Sequence, residues 1–148
     1  MKNRNFNHLN CPVADTLGVI GEHWSMLIIR DAFFGVRYFN DFLSSLGIAR
    51  NILSDRLRRL VAEGVLEKRM VDGRNAYELT AAGRELQPIL VAMAQWGETH
   101  RPNPAGDRIT FVDRESREVI LPLKPTSAAG KPLAPDELRV RFGPGLRR

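Results

Sequence analysis

Apolar residues along this chain recur first at helical spacing, then with a period of two. From Pro12 to about Ile20, Val13, Leu17 and Ile20 share one helix face. Pro12 suits the first helical position because its φ is fixed and it has no N–H to leave unpaired. Gly21 breaks the run. A second helix is expected from about His23 to Phe34; Met26, Leu27, Ile28, Ile29 and Phe33 make it apolar on most sides, so it should be central. Gly35 ends it as a residue just past a helix C-terminus does. Val36-Arg37-Tyr38 reads as a short extended piece. Phe39, Phe42, Leu43 and Leu46 then mark a short helix opened by Tyr38 or Asn40, and Gly47 makes a sharp turn. The next helix, from about Ala49 to Glu63, has Ile52, Leu53, Leu57, Leu60 and Val61 as its buried stripe, with Gly64 as the stop.

After Gly64 the period changes. Val65 to Val71 and Asn75 to Leu79 read as two strands joined at Asp72-Gly73, a strong short hairpin signal. Thr80 is placed to cap a long helix from Ala81 to about His100, with Leu86, Ile89, Leu90, Met93 and Trp96 on its apolar face. Pro88 should kink that helix or mark a late start. Residues 101–106 are a linker by composition. Beyond them, Arg108 to Asp113 and Glu118 to Leu123 suggest a second hairpin, and Leu138 to Phe142 alternates apolar and basic as a strand with one wet face does. The expected organisation is a flexible start over residues 1–10, a domain over 11–101 and a β-rich extension over 102–148 with a hairpin, a further strand and a loose end from Gly143 to Arg148. The fold class is mainly α with a small β component, an α+β arrangement.

Composition narrows the function. Hydrophobic residues make up 43% of the 148, enough for a packed core. No apolar run approaches the roughly 20 residues that span a bilayer, and the polar start lacks a signal-peptide core, so a cytoplasmic protein without a membrane partner is expected. The net charge of +5 favours polyanions or is plain solubility charge. The single cysteine, Cys11, has no intrachain partner, and the three histidines form no metal-ligand spacing. No phosphate-binding loop, dinucleotide fingerprint or nucleophile motif is present. The expectation is therefore no enzyme, no cofactor and no metal.

The order of the middle elements carries mechanical meaning: short helix, glycine turn, basic helix, glycine, hairpin, helix. In a helix-turn-helix one helix crosses the DNA backbone while the second lies in the major groove. The helix from Ala49 suits the second role, because its first turns expose Arg50, Asn51 and Ser54; arginine can fork onto guanine and asparagine onto adenine. Ala49 and its neighbours present free N–H groups at that end. Arg58 and Arg59 lie further along, facing phosphate or partner carboxylates, and Asp55 is expected to pair with one of them. Lys68, Arg69, Arg74 and Asn75 sit on or near the hairpin tip, within reach of the backbone. Arg37 is placed either to clamp a phosphate or to form a surface ion pair. From Arg50 to Arg74 there are seven Arg or Lys against four Asp or Glu, a modest excess that gains weight from the element order.

These residues resemble the HxlR-type winged-helix regulators, relatives of the MarR group. The resemblance rests on Cys11-Pro12-Val13, Ile20-Gly21-Glu22-His23-Trp24 with Leu27-Ile28, Arg37-Tyr38-Phe39-Asn40-Asp41-Phe42 and Gly47-Ile48. It continues through Leu53-Ser54-Asp55-Arg56-Leu57-Arg58-Arg59-Leu60, Glu63-Gly64-Val65-Leu66-Glu67-Lys68-Arg69, Tyr77-Glu78-Leu79-Thr80-Ala81-Ala82-Gly83 and Trp96-Gly97. It implies a winged helix-turn-helix protein that binds double-stranded DNA as a homodimer, acting as repressor or activator. The chain departs from the family where Glu22-His23 replace a usual glycine and lysine, and where the wing turn is the tight Asp72-Gly73-Arg74. Some relatives sense oxidants through a cysteine near Cys11, so by resemblance Cys11 is a candidate redox switch; the alternative is a small apolar residue at a dimer interface.

The apolar faces of the first and last helices exceed what one small core needs. Val13, Leu17, Leu86, Ile89, Leu90, Met93 and Trp96 are therefore candidate dimer contacts, or else simply cover the core. Trp24 and Trp96 read as core or interface anchors, and Gly83 as a point of close approach to the wing. A different class of reading keeps the fold but makes the protein an effector- or partner-binding sensor. Its extension or Cys11 would then answer a small molecule or oxidant.

Overall fold

The computed structural model describes Phe6 and residues 8–146, so Met1 to Asn5, Asn7, Arg147 and Arg148, parts of the expected flexible start and loose end, lie outside the described residues. The elements are α1 (Pro12–Ile20), α2 (His23–Phe33), α3 (Phe39–Leu46), α4 (Arg50–Ala62), β1 (Leu66–Val71), β2 (Arg74–Leu79), α5 (Ala81–Arg84) and α6 (Gln87–His100), with a 3-10 turn at Pro135–Glu137. They fall into two units, one running to Gln87 and one over Pro88–Gly145, so α6 groups with the C-terminal segment rather than with the helices before it.

In the first unit the core forms where the helical stripes meet. Ile28 and Ile29 of α2, Phe42 of α3, and Leu53 and Leu57 of α4 are fully enclosed, with Leu60, Leu66 and Ala76 beside them. Each buried Leu or Ile contributes about 1.5–3 kcal/mol relative to exposure. α2 is central, as its apolar surround predicts, packing on α1, α3, α4 and β2. Its first residue follows Glu22, whose carboxylate accepts from Trp24 N at 3.1 Å and occupies one of the free donors of the first turn. α3 closes on Gly47 at φ 62°, a left-handed conformation that sets the sharp turn into α4.

β1 and β2 pair antiparallel with Val71 opposite Arg74, leaving Asp72 and Gly73 as a two-residue turn at φ 50° and 74°. Both values are positive, as the hairpin turn that follows strand twist requires. The extended piece before α3 joins the wing: Tyr38 bridges Ala76, and Tyr77 N donates to Arg37 O at 2.7 Å.

The helix expected from Ala81 to His100 is not continuous. Thr80 caps α5 as foreseen, accepting from Gly83 N at 3.0 Å, but α5 ends after one turn and α6 begins anew at Gln87. Pro88 is the second residue of α6, where a missing N–H leaves no helix bond unmade. Gly83 is buried, and a methyl group there would collide with the carbonyl oxygen of Val65.

In the second unit, α6 holds the following chain through polar contacts. The Gln95 side chain accepts from Leu123 N at 2.7 Å and donates to Leu121 O at 3.4 Å, while Arg108 pairs with Glu98 at 3.1 Å. The expected hairpin of Arg108–Asp113 and Glu118–Leu123 is reduced to one bridge, Val112 with Val119, flanked by Asp113 N to Glu118 O and Ile120 N to Phe111 O. The strand expected over Leu138–Phe142 is absent, and its backbone joins no ladder among the described residues. Alternation marks which side of a strand is wet, but a strand exists only where a second backbone supplies partners. Here Leu138, Val140 and Phe142 are as exposed as the arginines between them. Pro122, Pro125, Pro132 and Pro135 remove N–H groups from the preceding chain.

Two outcomes follow. Gly83→Ala should destabilise the protein by about 1–3 kcal/mol, read by urea denaturation, because backbone meets the added methyl and cannot rotate away. The Asp113 carboxyl is held below the ordinary carboxylate range by the N–H groups of Ser116 and then Glu115. Its hold on the 113–117 turn is fully present above that ordinary range and lost as pH falls through the lowered value. An NMR titration should therefore show the Glu115 and Ser116 amides moving only at the acid end.

Candidate nucleic-acid interface

All ten residues expected to meet DNA are on the surface: Arg37, Ala49, Arg50, Asn51, Ser54, Arg58, Lys68, Arg69, Arg74 and Asn75. α4 achieves this by burying Leu53, Leu57 and Leu60 on one side and leaving the opposite side bare. Its N-cap is Ala49, which has no side-chain acceptor, so no cap side chain occupies the N–H groups of the first turn.

An aromatic pair links the helix to the wing. The Arg74 guanidinium carbon lies 3.7 Å from the Tyr38 ring centroid, and that of Arg37 lies 5.3 Å from it. The Arg50 guanidinium sits 5.5 Å from the ring of Phe39, the next residue. Arginines from the wing tip, the start of α4 and the strand before α3 are thus seated on two consecutive rings. Such contacts are worth about 0.5–1 kcal/mol each at exposed sites and narrow the rotamers each arginine explores. Sequence reasoning missed these seats, having read Tyr38 as extended chain and Phe39 as a helix-face residue. The available signal was two adjacent aromatics directly after an arginine.

Carboxylates also hold arginines of this surface. Glu78 takes Arg37 at 3.3 Å and Arg69 at 3.1 Å, and Glu67 lies 3.9 Å from Arg69. Asp55 takes Arg58 at 2.5 Å, as expected, and also Arg56 at 2.6 Å. For Arg37 the structure shows the surface ion pair of the two sequence alternatives. Of the ten candidate residues, the cations Arg50, Lys68 and Arg74 have no carboxylate partner among the described residues, and neither does Arg59 further along α4. The strand register also divides the wing residues. Arg69 and Arg74 belong to one face of the hairpin, Lys68 and Asn75 to the other. Lys68 stands 6.0 Å from the Tyr77 ring.

Of the candidate dimer contacts, Val13, Leu17, Ile89, Met93 and Trp96 are exposed, Leu86 is half-buried and Leu90 is buried at 8%. Leu90 therefore has little surface left to offer a partner. Trp24 is half-buried and Cys11 is half-buried at the start of α1. Among the described residues no group of three His, Cys, Asp or Glu is placed to hold a metal, and no helix is long and apolar enough to cross a membrane.

Comparison with known proteins points the same way. The family model described as HxlR-like helix-turn-helix matches residues 19–104. The HTH-type transcriptional regulator Rv3095 of Mycobacterium tuberculosis is 36% identical over 138 residues, 91% of this chain and 87% of the relative. Among solved structures, the transcription-factor candidate PA1607 is similar with a TM-score of 0.83 and 44% identity, covering 90% of this chain and 95% of that one. The redox regulator HypR in its reduced form is similar with a TM-score of 0.57 and 35% identity, over 62% of this chain and 94% of that one. The first likeness takes in most of the C-terminal segment; the second is confined to about the length of the winged helix.

Tyr38→Leu should weaken binding to duplex DNA about fivefold in fluorescence anisotropy, in keeping with loss of about 1 kcal/mol of cation–π seating. Tyr38→Phe, which keeps the ring, should bind as the unaltered protein does.

Proposed function

Because the chain belongs to the HxlR-like helix-turn-helix family, and so is a transcriptional regulator with a helix-turn-helix DNA-binding domain, we propose that it binds a near-palindromic duplex site as a homodimer and represses the adjacent gene. The family and the names of its relatives describe regulators of transcription, not enzymes. The observation that carries the reading is the seating of Arg37, Arg50 and Arg74 on Tyr38 and Phe39, which ties the α4 N-terminus and the wing into one basic surface. Arg50, Asn51 and Ser54 read base edges in the major groove. Backbone N–H groups after Ala49, with Arg37, Arg58, Lys68, Arg69, Arg74 and Asn75, hold phosphates and set register. Self-association uses the exposed apolar residues of α1 and of α6, which spaces two recognition helices about 34 Å apart, one turn of DNA. The protein acts in the cytoplasm.

The signal is a small molecule or an oxidant. Cys11 is the residue proposed to meet an oxidant, in line with the likeness to HypR, a redox regulator. With a single cysteine per chain, its thiol partner would come from the second subunit or from a small thiol.

The test is anisotropy binding to DNA from upstream of the protein's own gene against scrambled DNA of equal length, at two salt concentrations. Preference for the upstream DNA, weakened by salt, supports the reading. Equal affinity for both sequences rejects it. Arg50→Ala should cost about 1–3 kcal/mol on the upstream site and little on scrambled DNA, whereas Lys68→Ala should weaken both alike and flatten the salt slope by about one unit. If Arg50→Ala weakens both sequences equally, its base-reading role is wrong.

A further inference from the structure

The interface described above does not use Glu22. Its Oε2 accepts from Trp24 N at 3.1 Å and from Ser25 Oγ at 3.4 Å at the start of α2, and Arg56 Nε of α4 lies 2.6 Å from the same oxygen, an ion pair without hydrogen-bond alignment. Arg56 Nη1 reaches Asp55 at 2.6 Å, and Asp55 holds Arg58 at 2.5 Å. A chain of alternating charge therefore runs from the first turn of α2 to the exposed side of α4. Its inner pair is sheltered, with side-chain exposures of 11% for Arg56 and 17% for Glu22.

We propose that Glu22 is a positioning residue for DNA recognition: through Arg56 it fixes the rotation of α4 about its own axis. This rests on the reading of α4 as the base-reading helix. Leu53, Leu57 and Leu60 lie within one narrow stripe, and a stripe of flexible side chains sets how deep the helix sits better than how it is rotated. At about 100° per residue, Arg56 flanks that stripe on one side, while Asn51, Ser54 and Arg58 lie on the far side. The stripe packs α4 on α2, α3 and β1, and the ion pair adds a polar hold on its flank. Without it, a rotation of about 20° would carry a side-chain tip some 6 Å from the axis through about 2 Å. A base-edge hydrogen bond is lost over that displacement, because it needs both distance and direction. A phosphate contact made by a long arginine is kept, because the side chain can follow. The tether therefore controls discrimination between sequences and leaves general affinity for DNA untouched.

Glu22→Gln keeps an acceptor for Trp24 N and removes the charge. In the full-length protein it should cut the ratio of upstream to scrambled DNA affinity about tenfold, with scrambled binding and salt slope unchanged. Amide exchange measured without DNA should speed up several-fold over Arg50–Arg58 and stay as before over β1 and β2. Arg56→Lys, which keeps one charge but cannot face Glu22 and Asp55 together, should behave alike, and Glu22→Gln with Arg56→Gln should be no worse than either alone. This pair of variants also covers the case where one of them fails to fold. Equal losses on both DNAs, or an unchanged ratio, overturns the proposal, as does unchanged exchange in α4. If the unaltered protein shows no preference for upstream DNA, the function reading fails, and exchange alone then decides whether Glu22 holds α4.

Discussion

Everything at the candidate interface depends on how α4 is held. Its inner stripe is Leu53, Leu57 and Leu60, fully enclosed with Ile28, Ile29 and Phe42 as neighbours in the same core. At about 1.5–3 kcal/mol for each buried leucine, this stripe alone outweighs the exposed ion pairs of the surface, which are worth about 0–1 kcal/mol each. The burial frees the opposite side of α4 from any structural duty. Arg50, Asn51 and Ser54 can be polar and exposed because the helix is stabilised from behind. The short connection through Gly47 and the buried Ile48 then fixes where the helix begins.

A helix held from behind still has to be placed relative to the wing, and two kinds of contact do this without adding to the core. Aromatic rings act at the front: Tyr38 joins the wing through its backbone at Ala76 and offers its ring to Arg74, while Phe39 offers its ring to Arg50. One dipeptide thus refers both basic elements to the same point of the chain. A carboxylate acts at the flank, where Glu22 meets Arg56. Both kinds of contact set direction more than they add stability.

Much of this was legible in the amino-acid order, and the failures have a common cause. The first four helices, the Asp72-Gly73 turn, the cap at Thr80 and the exposure of the ten candidate residues all follow from local rules of periodicity, glycine placement and capping. Two adjacent aromatics after an arginine hinted at a seat, but which arginines they take was not legible, because Tyr38 meets Arg74 from 36 positions away. The Glu22–Arg56 pair was hidden for the same reason. Leu138–Phe142 shows the reverse error: its alternation is local and clear, yet no second strand lies beside it among the described residues. Pro88 announced a disturbance in the last helix, and the chain resolved it by ending α5 and starting α6 rather than by bending.

The carboxylates of this surface look misplaced on a protein meant for a polyanion, and their positions explain them. Glu78 sits between Arg37 and Arg69, and Asp55 sits between Arg56 and Arg58. Each takes two arginines and neutralises one charge. Repulsion by phosphates lowers affinity for any duplex, since that affinity scales with the phosphates a protein can neutralise. The same carboxylates hold long side chains that would otherwise sweep many rotamers, so less freedom is lost when DNA arrives. The first effect acts on every sequence, and the second favours only the sequence whose edges meet the held groups. A regulator facing a large excess of non-specific DNA gains from both, because the ratio of the two affinities decides where it sits. In the proposed mode of binding the modest net charge of +5 belongs to the recognition strategy: Arg50, Lys68 and Arg74 would supply attraction, and the paired arginines geometry.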